Sequence, residues 1–258
     1  MNAPNNKGAN PHVGLLVTCL ADMFRPEVGF AAVKLLEQAG CDVEVPAQSC
    51  CGQPAYNAGD AKDAAALAKQ VIANFEAFDF VVVPSGSCGG MAKVHYPHLL
   101  KDDPAWALRA NALAAKTHEL FSFLVNVRGM KNVAAACNGR AAYHDSCSSL
   151  REMNVSGEPR LLLQSVDGLS VRDLAEKETC CGFGGFFSVK YPEVSARMAD
   201  DKIADAKATG AQMILAGDLG CLLHLAGRLS RKGEALHVRH AAEVLAGMTD
   251  GPAIGEAE

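Results

Sequence analysis

Two hydrophobic patterns alternate along the chain. Short apolar runs, at residues 13–17, 80–83 and 213–216, each lead into a loop that contains glycine or cysteine, which is typical of buried parallel strands. Other stretches carry apolar residues at helical spacing. The clearest follows Asp60, a suitable N-cap, and its stripe comprises Ala64, Leu67, Ala68, Val71, Ile72 and Phe75.

Three further helices are predicted from the same pattern. Pro26 suits the first turn of a helix that Gly40 ends. Residues 104–127 form a longer helical stretch with a break, and residues 192–209 form a helix that corresponds to the one after Asp60. Strands alternating with helices predict the α/β class with mainly parallel sheets.

The cysteines reveal that the chain is a duplication. Cys50-Cys51-Gly52 recurs as Cys180-Cys181-Gly182, Cys19 recurs as Cys147, and Cys88 recurs as Cys221, in the same order and at nearly the same offset. Only Cys41 and Cys137 fall outside this scheme. We therefore expect two similar α/β halves related by a pseudo-twofold axis, with the cysteine loops at the carboxyl ends of the strands.

This duplication divides the chain into four predicted segments. Residues 1–12 are expected to be a disordered N-terminus, residues 13–130 the first repeat with a connecting helix, residues 131–248 the second repeat, and residues 249–258 a flexible tail.

Composition narrows the class of protein. Of 258 residues, 49% are hydrophobic and 21% are charged, which is ordinary for a globular chain. The net charge of −5 argues against nucleic acid or an anionic membrane surface as a partner. The apolar stretch at residues 14–21 is too short for a secretory signal, and no run is long enough for a transmembrane segment. We expect a cytoplasmic protein, in which clustered cysteines bind metal or do redox chemistry.

The spacing of the cysteines limits what they can hold. Within each half they lie on separate loops that are far apart in sequence, unlike the tight C-x2-C turns of zinc knuckles. Thiols from several directions, with adjacent cysteines reaching different irons, favour an iron–sulfur cluster. Zinc and a redox dithiol or disulfide remain alternatives.

The motifs closely resemble the CCG, or cysteine-rich, domain. That domain is repeated in a subunit of heterodisulfide reductase, in glycolate oxidase iron–sulfur subunits and, most similar of all, in the lactate utilization protein A family. The resemblance extends from about residue 12 to residue 248, and its motifs lie at residues 18–30, 48–57, 84–88, 144–147, 180–186 and 217–224.

One departure from the family's pattern matters. The full pattern ends in C-x-x-C, but here its first cysteine is replaced by Ser85 in one half and by Asp218 in the other. The resemblance therefore implies one or two [4Fe–4S] clusters, held by four cysteines each, with Ser85 or Asp218 as additional candidate oxygen ligands. The ligand sets are Cys19, Cys50, Cys51 and Cys88 in the first half, and Cys147, Cys180, Cys181 and Cys221 in the second.

Other residues receive plainer interpretations. Cys41 and Cys137 are expected to pack in the core. His144 and His224, each three residues from a cysteine, are candidate extra ligands, although a structural role is the commoner one. Arg25, with Asp22, is interpreted as a cap or a surface ion pair. The remaining histidines show no ligand spacing and are expected at the surface; they include His95, His98, His118, His237 and His240.

The resemblance implies an iron–sulfur electron-transfer subunit of an oxidoreductase complex that oxidises a small 2-hydroxy acid, L-lactate to pyruvate. Its partners would be other iron–sulfur subunits, because a cluster protein needs an electron donor and an acceptor. Two hypotheses from other classes stay open: a zinc-binding structural subunit and a cluster-dependent thiol–disulfide reductase.

Overall fold

The apolar runs form the strands of two parallel sheets. The computed structural model describes residues 10–256. The first half contains, in chain order, β1 (His12–Leu15), α1 (Cys19–Phe24), α2 (Glu27–Gln38), β2 (Asp42–Glu44), α3 (Gln53–Asn57), α4 (Ala61–Phe75), β3 (Phe80–Val83), α5 (Gly86–Gly90), a π-helical turn (Met91–His95), α6 (Tyr96–Leu99), α7 (Pro104–Lys116), β4 (Thr117–Glu119), α8 (Leu120–Ser122) and a second π-helical turn (Phe123–Val127). The second half contains β5 (Ala136–His144), α9 (Cys147–Arg151), α10 (Gly157–Leu163), β6 (Asp167–Asp173), α11 (Phe186–Lys190), α12 (Pro192–Ala208), β7 (Met213–Ala216), α13 (Leu219–Lys232), β8 (His237–His240) and α14 (Ala241–Leu245).

The two sheets have the same topology. Their strand orders are β2-β1-β3-β4 and β6-β5-β7-β8, and every neighbouring pair is parallel. The predicted α/β class with two similar halves is therefore confirmed. Because all strands of a sheet point the same way, the loops after β1 and β3 leave from the carboxyl end of the first sheet. The loops after β5 and β7 leave from the carboxyl end of the second.

The halves pack against each other reciprocally. Helix α1 of the first half contacts α13 of the second, and the equivalent α9 contacts α5. In the same way α2 packs on α14 and α10 packs on α8. One hydrophobic cluster contains buried residues from both halves, among them Leu15, Leu35, Tyr143 and Leu245. Such exchanged contacts are those that a pseudo-twofold axis produces.

Three predictions about the ends and the connection need comment. The helical stretch predicted at residues 104–127 is broken by β4, a three-residue strand that completes the first sheet. Within the tail predicted to be flexible from residue 249, Ile254 is 5% exposed and its N–H donates to the Val238 carbonyl. Of the predicted disordered N-terminus, residues 1–9 lie outside the described residues, and β1 begins at His12.

The boundary predicted at residues 130 and 131 falls in the segment between the second π-helical turn and β5. Across residues 10–256, no helix has both the length and the apolar character needed to cross a bilayer.

Candidate functional site

The structure brings the eight repeated cysteines together in two sets of four. Cys19, Cys50, Cys51 and Cys88 form the first cysteine site, and Cys147, Cys180, Cys181 and Cys221 form the second cysteine site. In each site the first cysteine begins a short helix, the adjacent pair lies in the loop after an edge strand, and the last is the third residue of a helix.

The thiols of the first cysteine site are in contact with one another. Cys51 Sγ lies 3.2 Å from Cys88 Sγ. Hydrogen bonds from the thiols of Cys19, the larger effect, and of Cys51 lower the pKa of Cys50 to about 2. Cys51 and Cys88 are buried while Cys19 and Cys50 are half-buried, so the site extends from the core to the solvent-accessible surface.

The second cysteine site repeats this arrangement. Hydrogen bonds from the thiols of Cys147, the larger effect, and of Cys181 lower the pKa of Cys180 to about 2, so in each site the neighbouring thiols favour the thiolate form of one cysteine. Cys181 and Cys221 are the buried members, at 1% and 7% exposure.

The glycine of each CCG motif explains why the motif takes this form. Gly52 and Gly182 adopt φ angles of 86° and 89°, which glycine tolerates best. In that conformation each backbone N–H donates to the sulfur two residues earlier, Cys50 or Cys180, at 3.4 Å. A Cβ on Gly182 would also lie 2.6 Å from the Ser195 carbonyl oxygen. The motif therefore supplies two thiols and a backbone donor from one turn.

Ser85 and Asp218, the residues that replace the family's missing cysteines, bond to each other across the two halves. They are the N-cap residues of α5 and α13. The Ser85 hydroxyl donates to Asp218 Oδ2 at 3.1 Å, and the Ser87 N–H donates to the same oxygen at 2.9 Å. Asp218 Oδ1 also accepts from the Gly220 N–H at 3.2 Å. One carboxylate thus serves two helix N-termini, and metal ligation by Ser85 or Asp218, which stays a prediction, would require these bonds to be exchanged.

Each cysteine site opens into a cavity whose far wall comes from the other half. The cavity of the first site, about 120 Å³, is lined in part by Phe183, Gly185 and Asp218. The cavity of the second site, about 270 Å³, is lined in part by Gln53 and His95. Asp218 lines both cavities, so the two sites are neighbours on one cleft.

His144 is the extra-ligand candidate that the structure places at a cysteine site. It ends β5 and is fully buried. One of its ring nitrogens and the sulfurs of Cys181 and Cys221 all lie within 4.8 Å of one another. Burial, with the charge of Lys202 acting in the same direction, lowers the pKa of His144 to about 4.

His224, the other candidate, has a partner of its own outside the four thiols of the second cysteine site. Its Nε2 lies 3.1 Å from Ser195 Oγ, and it lines a different cavity with Arg228 and Arg231. Cys41 is buried in the hydrophobic core. Cys137, which lies in β5, packs against the same core, so neither residue belongs to a cysteine site.

Arg25 has a different partner from the one that was expected. It forms an ion pair with the fully buried Glu243 of the second half, at 2.7 Å, and not with Asp22. Another expectation, that His240 lies at the surface, is wrong, because His240 is fully buried and caps α14. The sequence signal for His240 was its position directly before a helix with Glu243 three residues later, the pattern of a capping box.

Two residues beside the cysteine sites were missed by the sequence pattern. Lys202 is 2% exposed, on the buried face of α12, and interacts electrostatically with Cys180 and Cys181. Burial lowers the pKa of its ammonium group. On the other side, the hydroxyl of the buried Tyr96 donates to the Cys51 carbonyl at 2.7 Å. Neither residue could be identified from the sequence, because its position beside the thiols depends on tertiary packing. A lysine within a helix, for example, is ordinarily taken as a surface residue.

The donor sets fit a cysteine-ligated metal or iron–sulfur centre. Four thiols converge in each half, the neighbouring thiols lower the pKa of one cysteine in each set, and the buried His144 has no hydrogen-bond partner among the described residues. Thiolates are the form in which cysteine binds metals, and burying several of them together without a cation is unfavourable.

Comparisons with known proteins agree with this site. The sequence profile of the CCG family, described as "Cysteine-rich domain", matches residues 13–93 and 141–226. A protein named "Lactate utilization protein A" from Bacillus velezensis is 49% identical over 234 residues, which is 90% of this chain and 98% of that protein. The protein of the same name from Bacillus subtilis (strain 168) is 48% identical over the same shares of both chains.

Among solved structures, a hypothetical protein from Helicobacter pylori aligns with a TM-score of 0.67 over 97% of this chain, at 12% identity. This chain spans half of that protein, and the likeness concerns the fold alone.

Proposed function

Because the chain belongs to the lactate utilization protein A family and is built from two CCG cysteine-rich domains, we propose that it is the iron–sulfur electron-transfer subunit of an oxidoreductase complex. We further propose that this complex oxidises a small 2-hydroxy acid, L-lactate to pyruvate. The name of the relatives supports lactate as the substrate. The observation that carries the electron-transfer role is the convergence of two four-thiol sites on one cleft.

In this proposal each cysteine site holds one [4Fe–4S] cluster through its cysteine thiolates. When bound, such clusters supply one-electron transfer. The residues of this chain then have three tasks. The buried cysteines, Cys51 and Cys181, hold the inner side away from water; the N–H groups of Gly52 and Gly182 stabilise the adjacent thiolates; and the wall contributed by the opposite half closes each cavity.

The substrate is proposed to react on another subunit. The carboxylates among the side chains that line the cleft are Glu152 and Asp218, and the thiolates add further negative charge. A 2-hydroxy acid is itself an anion, and such a lining would repel it. The chain would therefore relay electrons to and from other iron–sulfur subunits. A cytoplasmic location is part of the proposal, since reducing compartments keep thiols free to bind metal.

A zinc-binding structural subunit is the second candidate. The observation that favours it is the cluster of His144, Cys181 and Cys221, because three donors within 4.8 Å of one another would also suit a single tetrahedral ion.

The deciding experiment is to measure iron, acid-labile sulfide and zinc per chain after anaerobic purification. We expect about four or eight irons with equal sulfide. Cys50→Ser and Cys180→Ser should each remove the iron of one site, whereas Cys137→Ser, which changes a cysteine outside both sites, should remove none. Stoichiometric zinc without sulfide, even after reconstitution with iron and sulfide, would contradict electron transfer and support the structural role.

A further inference from the structure

His144 is a buried polar side chain whose surroundings leave it without a hydrogen-bond partner. Neither Nδ1 nor Nε2 has one among the described residues, although the side chain is fully buried. Burying an imidazole in this way is costly unless something else binds it.

The charged groups near His144 are already engaged elsewhere. The carboxylate of Asp145 accepts two hydrogen bonds from Arg160, at 2.7 and 2.8 Å. The ammonium group of Lys202 donates to the carbonyl of Glu176. The buried sulfurs of Cys181 and Cys221 lie beside the His144 ring, within 4.8 Å of one of its nitrogens.

The first half provides a natural comparison for this position. The same offset in sequence that relates Cys19 to Cys147 relates Leu16 to His144. Leu16 is also fully buried and packs in one cluster with Cys51 and Cys88. The same location in the fold is thus apolar beside one cysteine site and carries a nitrogen donor beside the other.

We infer that His144 is a direct ligand, through a ring nitrogen, of the metal centre held by Cys181 and Cys221, and that it takes the place of one of the other two thiolates of the second cysteine site. This inference rests on the proposed function for the identity of the centre as iron–sulfur. The second site is then a mixed imidazole–thiolate site, while the first is all thiolate. A neutral imidazole leaves the centre less negative than a thiolate does, so the second centre has the higher reduction potential. Electrons would move from the first site to the second.

The test uses the anaerobically reconstituted full chain, reduced with dithionite. Pulsed electron paramagnetic resonance detects the hyperfine coupling of a nitrogen bound directly to a paramagnetic cluster. We expect such a coupling in the unaltered protein, and its conversion to the ¹⁵N pattern when the histidines are labelled with ¹⁵N. The labelling arm requires no substitution and so remains informative if a variant fails to fold.

Two variants assign the nitrogen. His144→Leu, which installs the residue of the first half, should abolish the coupling and lower the potential of the second centre. His224→Leu, which changes the histidine three residues beyond Cys221, should leave both unchanged. An iron–sulfur signal without a directly bound nitrogen, as a hydrogen bond or an ordered water at His144 would give, overturns the inference and leaves the proposed function standing.

A protein that binds no iron or sulfide would contradict the proposed function instead. The role of His144 is then tested with Co²⁺ added to the chain, since cobalt absorption bands differ between three sulfurs with one nitrogen and four sulfurs. A change in these bands on His144→Leu, and none on His224→Leu, supports ligation by His144; identical bands in all three proteins overturn it.

Discussion

The two cysteine sites share a frame but differ in their surroundings. Both place one thiol at the start of a helix, two on a CCG turn and one in the next helix. Around the first site the equivalent buried positions carry Leu16 and Val71, whereas around the second they carry His144 and Lys202. The shared arrangement of the four cysteines allows a centre to bind, and the neighbouring buried side chains set the properties of that centre. A duplicated site can therefore hold two different centres.

The two equivalent contacts between the halves, α2 with α14 and α10 with α8, also differ in their side chains. The α2–α14 side contains the Arg25–Glu243 pair, with Glu243 fully buried, while the equivalent α10–α8 side carries an exposed hydrogen bond from Asn126 to Glu158. Arg25→Met should reduce the free energy of unfolding by about 3–5 kcal/mol, because it leaves a buried carboxylate unpaired.

Asn126→Ala should cost less than about 1 kcal/mol, since its hydrogen bond is exposed to water. Urea denaturation of the full chain measures both effects. Adding Glu243→Gln to Arg25→Met should recover part of the loss. If Arg25→Met and Asn126→Ala reduced the free energy of unfolding equally, burial of the ion pair would not distinguish the two contacts.

A second comparison concerns the equivalent cap residues Glu119 and His240, which end β4 and β8. Burial raises the pKa of Glu119 to about 8 from an ordinary 4.5. The folded protein therefore keeps a proton that the unfolded chain releases, and stability contributed by the neutral group is lost as the pH rises from about 4.5 to 8. Glu119→Gln should be near neutral at pH 4.5 and stabilising by about 4 kcal/mol at pH 9.

Urea denaturation at the two pH values checks this prediction for Glu119. Glu37→Gln, at an exposed position of α2, is the matched control and should show no such pH dependence. If Glu119→Gln changed stability equally at both pH values, Glu119 would not be the group that carries the proton.

The smallest expected effect concerns Lys202. Its buried positive charge favours the reduced, more negative state of a centre in the second cysteine site. Lys202→Met should lower the reduction potential of that centre by about 30–60 mV. Cys50→Ser is the suitable background, because only the second centre would remain.

Lys207→Met, on the same helix but exposed, is the control and should leave the potential unchanged. A shift as large in the control as in Lys202→Met would mean that net charge, and not the buried ammonium group, sets the potential.

Much of this organisation could be predicted from the sequence, because it rests on local patterns and on repeated spacing. The offsets between cysteines give the two halves, and apolar runs that end in cysteine give the edge of the sheet where the thiols meet. The three-residue strand β4 was missed because its residues continue a helical pattern on both sides. The burial of Lys202 and the Ser85–Asp218 bond depend on packing between segments far apart in sequence, which single-residue tendencies do not encode.

The exchanged walls of the two cavities have a consequence for ancestry. Since Phe183 and Asp218 close the first cavity, and Gln53 and His95 close the second, a single repeat would leave its thiols open to water. An ancestor with one repeat would have needed to form a homodimer to enclose its centre, in the symmetric manner of isologous interfaces. Fusion of two such copies would release them from identical sequence, and the difference between Leu16 and His144 is a change that no homodimer could make in only one of its sites.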